Sequence, residues 1–242
     1  MNEIIAQFLQ LYHDSRPVKF TNIYQGIPIT CVGTILKVED DRVAFNISRY
    51  QGLCLKLEGR TIIHSDFLTR KFQAETVQVD LKNETAVLTN FEPADFSIEN
   101  RLHIRVETNK PINALLSNTV EVTVKITEVS LNGLALYIKR ANYENKYFSK
   151  GKKVNIEFDM ISKGTGKKQQ VRMEGIIRSV NMTRDLLLYR LGIETMPSYK
   201  NEMILREYID LRQEEIVAEI KRLTELDVAS LVVGNLPKPN QA

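Results

Sequence analysis

The stretch "VEVTVKITEVSLNGLALYI", residues 120–138, decides the fold of this chain. Apolar residues fall at every second position on both sides of a central break, which is the period of a β-strand with one buried face. At the break, Asn132 and Gly133 predict a tight turn that uses positive φ angles. The stretch therefore predicts an antiparallel hairpin whose apolar face carries Val120, Val122, Val124, Ile126, Leu134, Leu136 and Ile138.

Other segments of the chain have the same alternating pattern. Together they predict a mainly β protein built from two small antiparallel β-barrels, with Phe91–Asn100 as the linker. The predicted domains are residues 1–95, residues 96–226 and a partly disordered tail, 227–242. The strand-like segments are 26–47, 53–59, 74–81 and 84–91 in the first half and 153–160, 171–180 and 186–196 in the second.

Two helices frame these strands. Residues 1–14 predict a short amphipathic helix. They lack the basic start and the apolar core of a secretory signal. From Asn201, apolar residues three, four or seven apart predict a helix of about 25 residues. A helix of that length is longer than one small barrel can cover. We therefore expect its first half to pack on the barrel and its second half to contact a second copy of the chain in a homodimer.

Composition narrows the classes of function. The 242 residues carry 33 Lys and Arg against 30 Asp and Glu, and a net charge of +3 argues against a broad nucleic-acid footprint, so no DNA is expected as a partner. Cys31 and Cys54 lie in apolar runs without CxxC spacing, which predicts reduced thiols and no metal site. No apolar run has the length of a membrane span, and the expected compartment is the cytoplasm.

The stretch "ENRLHIRVET", Glu99–Thr108, places Arg101 and Arg105 four residues apart ahead of the hairpin. They form an RxxxR pair, and "EVSLNG", residues 128–133, follows it with an ExSxxG pattern. In this order and spacing the two motifs resemble those of PilZ domains, small barrels that bind cyclic di-GMP. The resemblance covers residues 98–226, and the first half is similar in layout to two-domain flagellar-brake proteins.

The resemblance implies a cyclic di-GMP receptor that is not an enzyme and uses no further cofactor. Arg101 and Arg105 would clamp guanine and phosphate, Glu128 would accept from the guanine donors, and Ser130 would bind a phosphate or the base edge. Asn132 and Gly133 would form the tight turn. The arginines would lie on a mobile linker that ligand pulls across the barrel, which would reorient the domains and regulate a partner such as the flagellar motor.

The chemistry of the ligand agrees with this set of residues. Guanine O6 and N7 accept two parallel hydrogen bonds from an arginine fork, and its N1 and N2 donors require a carboxylate or amide acceptor. Two departures from the family pattern stand out. Glu128 occupies the position usually held by aspartate or asparagine, and Asn100 stands where many members carry an additional arginine.

Two other classes of function remain open. A PilZ-like structural adaptor would keep the barrel and lose the ligand. A nucleic-acid-binding barrel would use the basic and aromatic residues of "KRANYENKYFSKGKK", residues 139–153. The run "KGTGKK", residues 163–168, lacks the spacing of a phosphate loop, and His103, between the two arginines, is a candidate for stacking on a base. The sequence contains no arrangement of a nucleophile and a base that predicts catalysis.

Overall fold

The computed structural model describes residues 3–94, 103–161 and 166–230. Within these residues, twelve antiparallel strands form two closed six-stranded barrels, which confirms the predicted fold class. The chain divides into two compact units, one around each barrel, and the short segment Gln25–Ile27 groups with the second unit. The predicted domain boundary at 95 and 96 falls outside the described residues and stays a prediction.

The first barrel has the strand order β1-β2-β3-β6-β5-β4. Helix α1 (Glu3–His13) inserts Phe8 among its inward-facing aromatic residues, with ring centroids 4.8 Å from Phe91, 5.9 Å from Phe72 and 6.2 Å from Phe45. The predicted amphipathic helix is thus present, and its apolar face packs into the first core. The strands are β1 (Val18–Tyr24), β2 (Ile27–Val38), β3 (Val43–Asn46), β4 (Arg60–His64), β5 (Phe72–Asp80) and β6 (Thr85–Pro93).

One predicted strand of the first barrel is a helix. Residues 53–58 belong to α2 (Arg49–Glu58) and Gly59 is its C-cap, although leucines at alternate positions resemble a strand. The ends of the segment decide its structure. The Ser48 side chain accepts a hydrogen bond from the backbone N–H of Gln51 at 3.3 Å, and Gly59, with φ of 69°, ends the helix in the left-handed region.

The predicted linker is also shorter than expected. Its first residues, from Phe91 to Pro93, are part of β6, where Phe91 packs in the first core. Packing of this aromatic side chain in the first core accompanies the continuation of the strand to Pro93, the first of the residues that predicted a break. The rest of the predicted linker beyond Ala94 lies outside the described residues.

The second barrel has the strand order β10-β11-β12-β9-β8-β7, and its core is a cluster of aliphatic residues with Phe148 and Phe158. A short helix, α3 (Asn145–Phe148), follows β9 after a 3₁₀ turn at Arg140–Asn142. The strands are β7 (Arg105–Ser117), β8 (Glu121–Ser130), β9 (Gly133–Lys139), β10 (Lys153–Ile161), β11 (Lys168–Met182) and β12 (Leu188–Thr195).

The long C-terminal helix is present as α4 (Tyr199–Ser230). Ile204, Leu205 and Ile209 on its first half pack against the core of the second barrel. The predicted disordered tail beyond Ser230 lies outside the described residues. No helix within the described residues has both the length and the apolar character needed to cross a bilayer.

Candidate functional site

The β8–β9 hairpin is the turn that carries the ExSxxG pattern. Ser130 pairs with Gly133 across the hairpin, so Leu131 and Asn132 are its two turn residues. The buried Ser130 hydroxyl donates to the Gly133 carbonyl at 3.0 Å and lies 3.4 Å from Asn132 Oδ1. The hydroxyl therefore stabilises its own turn in the ligand-free protein.

The prediction of positive φ angles in this turn is wrong. Neither Asn132 nor Gly133 is among the described residues with positive φ. Gly133 is required for a different reason, because a Cβ atom there would lie 2.9 Å from the Ile193 carbonyl oxygen on β12. Close approach of a neighbouring strand, and not turn conformation, explains this glycine.

A β-bulge decides where Glu128 points. The pairing register of β8 against β9 shifts between Ile126 and Glu128, so one extra residue is inserted at this position. Without the shift, Glu128 would continue the buried face of Val124 and Ile126. With it, Val129 takes the next core position and Glu128 faces the outside of the barrel.

Arg105 is the first residue of β7, where it pairs with Ser130. The prediction that both arginines lie on a mobile linker is therefore wrong for Arg105. The residue is held by the β7–β8 ladder and by a neighbouring segment, since Glu107 N–H donates to the Gln25 carbonyl at 2.9 Å. Arg101 lies outside the described residues, and His103 is exposed.

Glu128 connects two guanidinium groups on the outer face of the barrel. Its Oε2 lies 3.3 Å from Arg105 Nη1, and its Oε1 accepts from Arg190 Nη2 at 2.5 Å. The Glu128 side chain is 20% exposed, and those of Arg105 and Arg190 are 27% and 32% exposed. We call these three residues the arginine–glutamate cluster. A partly buried ion pair of this kind is screened less than a surface pair.

Arg190 is the residue of this cluster that sequence reasoning missed. It lies on β12, whose partner β9 places it opposite Tyr137. The signal in the sequence was one cation between apolar residues of a strand, with Leu191 and Ile193 buried on the other face. Alternation predicts that Arg190 faces outward, but only the pairing of β12 with β9 brings it beside the hairpin.

The Arg105 guanidinium has an unused donor. Its Nε is shielded from water and has no hydrogen-bond partner within the described part of the chain. An unpaired buried N–H group costs free energy, about 1–3 kcal/mol. The group is therefore suited to an acceptor oxygen or nitrogen that a ligand would bring.

The hairpin places the remaining predicted residues close to this cluster. Asn132 is exposed at the turn, and its carbonyl accepts from the Thr195 N–H at 3.0 Å, which ties the turn to the end of β12. Arg105, Glu128, Ser130, Asn132 and Gly133 thus lie around one hairpin. Across the described residues, no cluster of three or more His, Cys, Asp or Glu side chains could hold a metal ion.

Comparisons with known proteins complete the description of this site. No family model matches the chain, and none of the curated proteins matches it. Among solved structures, the chain is similar to the Bacillus subtilis inhibitor of motility MotI/DgrA, with TM-score 0.44 and 13% identity, covering 83% of this chain and 97% of that one.

The chain is also similar to the complex of K. pneumonia MrkH with c-di-GMP, with TM-score 0.43 and 14% identity over 91% of this chain and 95% of that one. A third similar structure is the PilZ domain of Escherichia coli YcgR with c-di-GMP, with TM-score 0.38 and 14% identity over 50% of this chain and 97% of that one. These neighbours are PilZ-domain proteins, the family that the sequence motifs resemble.

Proposed function

We propose that this chain is a cytoplasmic receptor for cyclic di-GMP whose second barrel binds the dinucleotide and whose bound state regulates a protein partner. The observation that carries the proposal is the arginine–glutamate cluster beside the Ser130–Gly133 turn. The two motifs that resembled PilZ domains in the sequence contribute Arg105 and Glu128 to one cluster, in direct contact.

Each residue has a role that suits its chemistry. Arg105 and Arg190 offer planar forks for the guanine O6 and N7 edge or for a phosphate, which a lysine would match less well. Glu128 offers acceptor oxygens to the guanine N1 and N2 donors. Arg101 would add a further fork from the segment before β7, and Asn132 and Ser130 add an amide and a hydroxyl at the turn.

Binding on this face requires the cluster to rearrange. Both carboxylate oxygens of Glu128 are engaged by guanidinium groups in the free protein, so the ligand must replace at least one of these contacts. We propose that the ligand also engages Arg101 and thereby reorients the two domains. The output is a changed surface for a partner such as the flagellar motor or a second copy of the chain.

Isothermal titration calorimetry with cyclic di-GMP tests this proposal. Arg105→Ala and Arg190→Ala are each expected to weaken binding about tenfold to a hundredfold, the range for a lost bidentate contact to guanine. The matched control is Arg172→Ala, because Arg172 forms a comparable ion pair with Glu157 at 2.8 Å on β10 and β11. Equal losses in all three variants would contradict the assigned site.

One observation favours a second candidate function, the PilZ-like structural adaptor. Glu128 forms an ion pair with each arginine, so the cluster can also be interpreted as an internal structural network that needs no ligand. The same titration separates the two candidates. Titration at about tens of micromolar detects a binding free energy of about −6 kcal/mol or stronger. If the wild-type chain takes up no cyclic di-GMP at that concentration, the adaptor function replaces the receptor.

A further inference from the structure

The tip of the β11–β12 hairpin, residues 182–187, presents apolar side chains to solvent. Leu187 is 67% exposed, Leu186 is 55% exposed and Met182 is 41% exposed. Three large apolar residues within six positions at the convex end of a hairpin are more than the scattered single residues of an ordinary surface. The tip therefore needs an explanation beyond folding.

Leu186 is also strained. Its φ is 58°, in the left-handed region that glycine or asparagine adopts more easily than leucine. A leucine in this conformation weakens the fold, and its exposed side chain contributes little to the core in return. The conformation and exposure of Leu186 together indicate that its side chain serves an external contact.

Hydrogen bonds hold this tip in one shape. The Leu186 N–H donates to the Thr183 carbonyl at 2.9 Å, and the Leu187 N–H donates to Asp185 Oδ1 at 3.1 Å. The Leu187 carbonyl accepts from the Arg140 N–H at 2.9 Å. Because these bonds fix the backbone, the two leucines are presented without an ordering cost at binding.

Cations outnumber carboxylates around the tip. Lys139, Arg140 and Arg184 are exposed, and none of them forms an ion pair within the part of the chain that the structure describes. Asp185 lies within the tip. Its carboxylate accepts from the Thr183 hydroxyl and the Leu187 N–H, and the Thr183 contact lowers the pKa of Asp185 below its ordinary value, so the group stays ionised. Three exposed cations and one ionised carboxylate thus flank the two leucines, and the surface around them is net positive.

We infer that the β11–β12 tip docks on an anionic lipid surface. A convex apolar tip needs a host that does not depend on a complementary pocket, and the boundary between headgroups and acyl chains is such a host. Leu186 and Leu187 enter this boundary while Lys139, Arg140 and Arg184 contact the anionic headgroups. The inference does not rest on cyclic di-GMP, because none of these residues belongs to the arginine–glutamate cluster.

Co-sedimentation of the full chain with vesicles tests the inference. We expect binding to vesicles of phosphatidylcholine with phosphatidylglycerol, little binding to phosphatidylcholine alone, and loss of binding as salt is added. Removing one cation, as in Arg184→Gln, should weaken binding about fivefold. Equal binding to both vesicles, or none to the anionic ones, would overturn the inference.

Two apolar variants separate docking from folding. Leu186→Gly removes the side chain and relieves the strained φ, so we expect an equal or higher melting temperature together with at least about tenfold weaker vesicle binding. Ile161→Ser is the matched control, since Ile161 is 64% exposed on β10 and should leave binding unchanged. If the tip variants leave vesicle binding unchanged, the lipid inference is wrong. Loss of binding to a protein partner in the same variants would show that the tip is a protein-docking element.

Discussion

Glu128 shows how one methylene group changes a candidate site. A glutamate reaches both Arg105 and Arg190 from one position on β8, whereas an aspartate at the same position would be too short to span them. The departure from the family pattern therefore has a structural consequence. It places an internal anion between two arginines on the outer face of the barrel.

Replacing this internal anion is expected to favour the ligand. Glu128→Gln keeps an acceptor oxygen for the guanine donors and releases the two arginines from a full negative charge, so we expect cyclic di-GMP to bind about tenfold more tightly. Calorimetry measures the change, with Glu157→Gln as the control because Glu157 pairs with Arg172 elsewhere on the barrel. Weaker binding in Glu128→Gln would show that the carboxylate itself is needed by the ligand.

The two cysteines differ in reactivity for a physical reason. Burial, with a smaller contribution from Cys31, raises the pKa of the Cys54 thiol to about 12 from its ordinary value of 9.0. Because the folded-state pKa is raised, this group favours folding below pH 9.0, and that contribution is lost as the pH rises towards about 12. Cys31 is partly exposed.

We expect this difference to appear in alkylation. Iodoacetamide applied to the folded protein below pH 9.0 should modify Cys31 and leave Cys54 unmodified, because only the thiolate reacts. Peptide mass spectrometry reads out both sites, and the same reaction in denaturant is the control in which both should react. Modification of Cys54 in the folded chain would contradict its buried position.

At the scale of elements, Gly26 supports the start of β7. Its φ is 86°, and a Cβ atom there would lie 2.2 Å from the Arg105 carbonyl oxygen. Buried Arg212 on α4 reinforces the same place, since its Nε donates to the Glu107 carbonyl at 2.9 Å and its Nη2 donates to Gln25 Oε1. The position of Arg105 thus depends on contacts with two other segments of its unit.

Gly26→Ala tests this support. We expect a loss of about 2–4 kcal/mol in the free energy of unfolding, from strain at positive φ and from displacement of the Arg105 backbone. Gly151→Ala is the matched control, because Gly151 has φ of 88° but nothing within 4 Å of an added Cβ, so it should lose only about 1–2 kcal/mol. Urea denaturation compares the two, and equal losses would show that the contact with Arg105 is unimportant.

At the scale of the whole molecule, the chain builds two separate hydrophobic cores. The first is rich in phenylalanine and includes one face of α1, and the second is mainly aliphatic and includes the first half of α4. In each barrel, a helix supplies apolar residues that pack with those of the strands. Stability of the first barrel should therefore depend on α1.

Phe8→Ala measures that dependence. Phe8 is fully buried among three other aromatic rings, so the substitution should lower the free energy of unfolding by about 3–5 kcal/mol. Phe67→Ala is the control, because Phe67 is exposed and its ring stacks against the Arg16 guanidinium instead of packing in a core. A similar loss at both positions would mean that α1 does not stabilise the first core.

Much of the fold could be predicted from the chain alone, and the errors have identifiable causes. Alternation of apolar residues located most strands of both barrels, because the period of two is a local property. It failed at residues 53–59, where the caps at Ser48 and Gly59 outweighed the alternating leucines. It also failed at Phe91–Pro93, where packing against Phe8 extends β6.

The candidate site was also predicted only in part from the sequence. The motifs that resemble those of PilZ domains predicted a site with Arg105, Glu128, Ser130 and Gly133, and the structure places these residues around one hairpin. The bulge between Ile126 and Glu128, which turns the carboxylate outward, depends on how β8 pairs with β9. The spacing of residues along the chain contains no information about that register shift.

The sequence by itself thus determined the strand-rich composition, the hairpin at residues 120–138 and the residue types of the candidate site. Only the tertiary structure decided that Arg190 joins this site, that Arg105 belongs to a strand, and that Gly133 is needed for the approach of β12. The physical reason is distance along the chain. Periodicity and turn chemistry act over a few residues, whereas the pairing of β12 with β9 brings together side chains 62 positions apart.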